Sequence, residues 1–333
     1  MRKIIPFAVG LAAIVALVLA VNPRSLGGVI EHFDVRALPV IVALSMTYYL
    51  LQGLRWHYLL RVVGVRLRLG DTVLLNMAGQ STGLLPLGEL TRAILVTDAA
   101  EAEFGAVVAT ITVQELTYTL IIIAAAVPGA LQHPQTTGGL LFALFLTSLV
   151  FVILLVPPVF RLVRAVVTRT PLLGRYLADV DELQRETVVL LRRWDTLVLS
   201  AISITGALDA ITLFWLVVHS LQPGLLSWPV AAFIYAVSHI VGAITFSPGG
   251  LGGFEASTVG LLISVGGADP ALAGGCAILQ RIADKGLATV VGMVAYLIAR
   301  RRFGLGGISL LRPREAQERS RRARRRPKEA TAG

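Results

Sequence analysis

The chemistry open to this chain rests on charges set in apolar sequence: Arg55, Glu89, Arg92, Glu115, Glu255, Arg281, Asp284 and Lys285, with Asp209 as a further intramembrane carboxylate. A charge at membrane depth costs about 2.5–3.5 kcal/mol on insertion scales, so each needs a partner or water, and each is a functional candidate by default. Arg92, Arg281 and Lys285 suit an anionic headgroup, because guanidinium offers a planar fork to phosphate and ammonium a mobile point charge. Glu89, Glu115 and Glu255 would balance them in an empty site, bind a cationic part of the ligand, or carry a coupling proton. Two stretches deliver several of these groups: LLPLGELTR over Leu84 to Arg92, and TFSPGGLGGFE over Thr245 to Glu255. Pro has no amide donor and Gly loses most entropy on ordering, so both stretches should unwind the backbone. Helices restarting after them would aim free amides at the same anion, which brings the backbone of Gly250 and Gly252 into the substrate site. The plainer alternative is structural. Arg281, Asp284 and Lys285, at one-turn spacing, could pair with Glu115 and Glu255 only to hold a bundle together.

Other chemistries find little support. His57, His219 and His239 stand alone, with no paired spacing for a metal. The single Cys276 excludes an intrachain disulfide and a Cys-built metal site. The GGLGG run lacks the strand before it and the βαβ unit after it that a dinucleotide site needs. Ser247 and Ser257 have no His and acid nearby of the hydrolase kind. No catalytic residue, metal or cofactor is expected.

The elements that must position the charges follow from composition. Of 333 residues, 55% are hydrophobic and only 15% charged, and mean hydropathy is +0.75. That is the composition of an all-α polytopic membrane protein, here about six to eight spans of roughly 20 apolar residues. The net charge of +10 lies mostly between and after the apolar runs. It therefore points to cytoplasmic loops and anionic headgroups rather than nucleic acid. Spans are expected over Ile4 to Val21, Ala37 to Leu60, Phe104 to Val127, Leu140 to Val159, Thr196 to Ser220 and Leu272 to Ala299, with Trp228 to Phe246 and Glu255 to Val265 flanking the second break. The loop from Arg161 to Asp195 should be cytoplasmic, with Val180 to Leu191 an amphipathic surface helix. Trp56, Trp194, Trp215 and Trp228 fit an interfacial belt. This topology makes each break a re-entrant hairpin, one from each face, in an inverted repeat. It puts the N-terminus and the tail in the cytoplasm, with 1–302 a membrane domain and 303–333 a disordered basic tail.

Glu89 is followed after 26 residues by Glu115, and Glu255 after 26 by Arg281, a spacing compatible with duplication. Together, Arg55-Trp56, LLPLGELTRA at Leu84 to Ala93, Gln114-Glu115, SPGGLGGFE at Ser247 to Glu255 and LQRIADK at Leu279 to Lys285 resemble the transmembrane region of lysylphosphatidylglycerol synthases. That group also includes small flippase-like proteins and archaeal dolichol-linked sugar-transfer membrane proteins. The resemblance spans roughly Ile4 to Arg302 and places Glu89, Arg92, Glu255 and Arg281 in shared motifs without assigning roles. In bifunctional relatives this region is linked to lipid flipping, and aminoacyl transfer belongs to a separate soluble domain that the chain is expected to lack. The expected function is a flippase of the inner (plasma) membrane. It would move an anionic or zwitterionic phospholipid, or a polyprenyl-phosphate-linked glycan, between leaflets. The alternatives are a membrane glycosyltransferase using a lipid-linked sugar and a non-transporting partner of a lipid-modifying enzyme. Membrane lipids are the expected partners, with a homo-oligomer or an enzyme partner also open.

Overall fold

The computed structural model describes residues 31, 33–83, 88, 90–134, 137–169, 177–245 and 248–305. The span expected over Ile4 to Val21, Glu89, the Pro86 turn and the tail beyond residue 305 lie outside them. Among the described residues every regular element is helical. Five stretches are long and apolar enough to cross a membrane: Val35–Val62, Phe104–Gln132, Thr137–Leu155, Trp194–Leu221 and Pro270–Phe303. The chain is thus an all-α polytopic membrane protein.

In chain order the helices are α1 (Leu38–Val62), α2 (Leu69–Gln80), α3 (Leu90–Ala100), α4 (Phe104–Gln132), α5 (Thr137–Leu155) and α6 (Pro157–Arg169). Then come α7 (Leu177–Arg192), α8 (Trp194–Leu221), α9 (Trp228–Ile244), α10 (Gly253–Ser264), α11 (Pro270–Arg281) and α12 (Leu287–Phe303). Local chemistry sets many of the ends. Asp269 caps α11 by accepting from the Ala271 and Leu272 amides at 3.0 Å each, with Pro270 in the first turn, where its missing N–H costs nothing. Gly304, in the left-handed region at φ 60°, closes α12 after Arg300, Arg301 and Arg302. The span expected to reach Val159 stops instead at Leu155, and Pro157 and Pro158 start α6. Pro158 would have no N–H for a continuous ladder, so it is accommodated in the first turn of a new helix.

Both breaks separate pairs of short helices. α9 and α10 pack against one another and run antiparallel: Gly242 meets Phe254 near the break, and Leu226 meets Gly266 at the other end. Between them Gly249, Gly250 and Gly252 take φ values of 58°, 72° and 86°, a left-handed path that L side chains resist by about 1–2 kcal/mol each. α2 and α3 likewise pack together. Gly79 makes that approach possible, because a Cβ there would stand 2.5 Å from Cβ of Arg92.

Among the described residues two large apolar cores result, with two smaller clusters beside them. One gathers Ile122, Ala126, Phe214, Ala231, Phe233, Ala236, Leu272 and Cys276 from α4, α8, α9 and α11. The other gathers Trp56, Leu60, Leu75, Val96, Val107, Ile111, Ala288 and Ala295 from α1, α2, α3, α4 and α12. Alanines along α9 let helices approach closely, which matters where lipid is as apolar as a side chain and dispersion must drive packing. α4 contributes to both cores, residues 107 and 111 to one and 118 to 130 to the other, with Gln114 and Glu115 at the seam. α11 belongs to the first core and α12 to the second, and Arg281, Asp284 and Lys285 fall where they meet. There the helix widens into a π turn over Ile282–Gly286, a distortion common at functional sites. The polar residues therefore occupy the layer that neither core fills.

Candidate functional site

In the first half, Arg92 is wholly buried and extends from α3 to α4. Its Nη2 donates to Glu115 Oε1 at 2.8 Å, and Nη1 donates to Asn76 Oδ1 at 3.3 Å and Gln114 Oε1 at 3.4 Å. Its guanidinium carbon lies 5.6 Å from the Trp56 ring centroid, close enough for cation–π attraction. An amide web holds this pair in place. Asn76 Nδ2 donates to the Tyr49 carbonyl and to Gln52 Oε1, Gln80 Nε2 also donates to Gln52 Oε1, and Gln114 Nε2 donates to the Gln52 carbonyl at 2.9 Å. Arg55, also buried, donates from Nη1 to the Gln114 carbonyl at 3.1 Å.

In the second half, Glu255 bridges two elements. One oxygen accepts from Arg281 Nε at 2.5 Å and the other from the Gly252 amide at 2.6 Å. The helix start expected to offer its amides to a ligand thus gives this one to its own chain, because a carboxylate three residues into a helix reaches back to the first free N–H. Arg281 lies 5.3 Å from the Phe254 ring, and its Nη2 has no hydrogen-bond partner among the described residues, nor does Gln280 Oε1. On the π turn, Asp284 Oδ1 accepts from the Tyr49 hydroxyl at 2.7 Å, which joins the second half to α1.

The two halves line a half-open cavity of about 440 Å³, within the range of sites that take small ligands. Both breaks line it, with Gly83 and Gly88 from the first and Gly249 and Gly250 from the second. Its charged wall is Glu115, Arg281, Asp284 and Lys285, and its aromatic wall is Tyr48, Tyr235, His239 and Phe254. Of the residues expected at the site, Glu115, Gly250, Arg281, Asp284 and Lys285 therefore meet at this surface. Arg55, Arg92, Gly252 and Glu255 stand behind it, as hydrogen-bonding supports, and Glu89 lies outside the described residues.

Gln52, Gln280, Tyr48 and Tyr235 also line the cavity and were not singled out from sequence, and His239, set aside there as an isolated His, lines it too. Gln52 and Gln280 carried a readable signal as amides in apolar helices, whereas the aromatic residues looked like ordinary core. Trp56, expected in an interfacial belt, is instead fully buried, and its indole N–H donates to Thr110 Oγ1 at 2.7 Å. Among the described residues no group of three His, Cys, Asp or Glu could hold a metal.

Fold and site together define a polytopic helical membrane domain whose two broken helix pairs line a cavity bearing charges of both signs. The family model described as the lysylphosphatidylglycerol synthase TM region matches residues 4–292. The chain belongs to that family. None of the curated proteins matches it.

Proposed function

We propose that the chain moves a phosphate-bearing lipid between leaflets: an anionic or zwitterionic phospholipid, or a polyprenyl-phosphate-linked glycan. The observation that carries this reading is the single cavity lined by both breaks and by charges of both signs, Arg281 and Lys285 against Glu115 and Asp284. Burying charge in a membrane is costly, and a bundle held only by ion pairs has no need of 440 Å³ of space beside them. A headgroup would occupy the chamber while its chains stay in lipid. Arg281 Nη2 and Gln280 Oε1, buried beside the chamber and without a partner among the described residues, become one donor and one acceptor for it once the side chains turn toward the chamber.

In this reading each break dips into the membrane from its own face, in an inverted arrangement, and binding draws on whichever face is open. The membrane is the inner (plasma) membrane, with the basic ends of α12 and of the segment carrying α6 and α7 on the cytoplasmic side.

The test is leaflet exchange of labelled lipids in vesicles holding the purified chain, with and without a proton gradient. At least one phosphate-bearing lipid should exchange faster than in empty vesicles, and Arg281→Gln should remove most of that rate. Exchange equal to empty vesicles for the whole lipid panel would end this reading.

A further inference from the structure

The two helices between α5 and α8 use their amphipathic character differently. α7 crosses the end of the bundle. The Asp179 backbone lies against Gly105 at the start of α4, Gln184 Nε2 donates to the Leu154 carbonyl at the end of α5 at 3.1 Å, and Leu190 packs on Leu59, Ala109 and Val113. Its apolar side is therefore spent on protein. α6, separated from α5 only by Val156, buries Phe160 alone. Leu162 and Val166 stand 67% and 57% exposed. With Val159 and Val163 they recur at three- and four-residue spacing, which gathers them into one stripe. The helix also carries Arg161, Arg164 and Arg169 and no acidic residue. Arg164 bonds Asp181 of α7 at 2.9 Å, whereas Arg161 and Arg169 are exposed and make no ion pair among the described residues. The Arg164–Asp181 bond ties α6 to a helix lying across the ends of α1, α4 and α5, so α6 sits at the level where those spans leave the apolar layer.

We propose that α6 is an interfacial helix that presses Leu162 and Val166 into the leaflet α5 has just crossed and binds anionic phospholipid through Arg161 and Arg169. A helix of this kind buries its apolar face about 5–10 Å into the boundary between headgroups and acyl chains, and its affinity combines apolar area with attraction to anionic lipid. Continuity favours lipid as the occupant: exposed Phe145, Leu149 and Val152 of α5 lead through Leu155 and Val156 into the stripe. Charge favours it too, because arginines left uncompensated at a membrane surface are matched by anionic headgroups. A second copy docked by two-fold symmetry would set the same basic face against itself. The proposal needs only that the chain spans a membrane and does not rest on the transport reading.

The experiment measures depth on the full chain in vesicles. A nitroxide is attached to Leu162→Cys, Val166→Cys or Thr168→Cys, exposed positions at which the label is tolerated; the native Cys276 is buried and does not compete for it. Relaxation by oxygen, which partitions into lipid, is compared with relaxation by a water-soluble nickel chelate. Labels at positions 162 and 166 should favour oxygen, and the label at position 168 nickel. Adding phosphatidylglycerol to phosphatidylcholine vesicles should shift positions 162 and 166 deeper. Arg161→Gln combined with Arg169→Gln should remove that shift, as should high salt. Nickel access at positions 162 and 166 in both kinds of vesicle would put the stripe in water, and shielding from both reagents would mean that protein covers it. Oxygen access at a depth indifferent to phosphatidylglycerol would remove the anionic-lipid site. Each of these three results overturns the assignment.

Discussion

The two breaks build the same device with the signs reversed. At the first, the short helix after the break brings a buried Arg92 to Glu115 on the next long helix. At the second, it brings a buried Glu255 to Arg281 on the next helix. In each pair the member next to the break is sealed behind the wall, and the member from the following helix faces the chamber. The side chains of Arg92 and Glu115 are 1% and 38% exposed, and those of Glu255 and Arg281 are 3% and 10%. The chamber therefore receives one carboxylate from the first half and one guanidinium from the second. The supports differ as well. Arg92 rests on side-chain amides and Trp56, while Glu255 rests on a backbone N–H of the break itself, which ties the course of the Gly-rich turn to the ion pair.

That difference sets an order of consequences. Glu255→Gln removes the counter-charge of a buried Arg281 and weakens the contact to Gly252, and breaking such a pair costs about 3–5 kcal/mol. Glu115→Gln also takes the counter-charge from a buried Arg92, but the lost carboxylate is more than a third exposed to screening solvent, and Asn76, Gln114 and the Trp56 ring remain beside the guanidinium, so the cost should be smaller, about 1–3 kcal/mol. Thermal or denaturant unfolding in detergent should rank the two in that order. Equal losses would dissolve the distinction between the halves.

A smaller contrast between the halves is expected from closing the helix pairs too tightly. Gly79→Ala puts a methyl 2.5 Å from Cβ of Arg92, whereas Gly242→Ala puts one 3.1 Å from Cβ of Phe254. Overpacking costs about 1–3 kcal/mol, so the first substitution should destabilise more than the second, by the same unfolding measurement. The smallest contrast is in the turns. Gly250→Ala should cost about 1–2 kcal/mol because φ is 72°. Gly83, whose φ lies outside the left-handed region, should accept Ala with a change of about 0.5 kcal/mol or less. If Gly83→Ala proved the more damaging, the first break would be the more strictly shaped of the two.

Much of this was legible in advance because its causes are local. The apolar runs foretold spans over Phe104 to Val127 and Thr196 to Ser220, which fall within the helices Phe104–Gln132 and Trp194–Leu221. Pro and Gly marked where the backbone must turn at Pro248–Gly250, and intramembrane charge singled out Glu255 and Arg281 as residues needing partners. The matched spacing of 26 residues even links Glu255 to the residue it bonds. In the first half the same spacing runs from Glu89 to Glu115, yet Glu115 is bonded by Arg92, at a separation of 23. Nothing in the run of residues shows which of two nearby charges a helix will turn inward. Trp56 illustrates the same limit: beside Arg55 and His57 it looked like a membrane-surface residue, and only the approach of α3 and α4 buries it.

Sequence alone, then, determined a helical membrane protein with two unwound points and an unbalanced set of charges near each, because hydropathy, proline geometry and the cost of buried charge act over a few residues. Which charges pair, which face the chamber, and that Tyr235 and His239 join them were decided by helices meeting from opposite ends of the chain. The reason is physical: a side chain's environment is set by what packs across from it, and α4 and α9, or α1 and the π turn at 282–286, are brought together only when both apolar cores close.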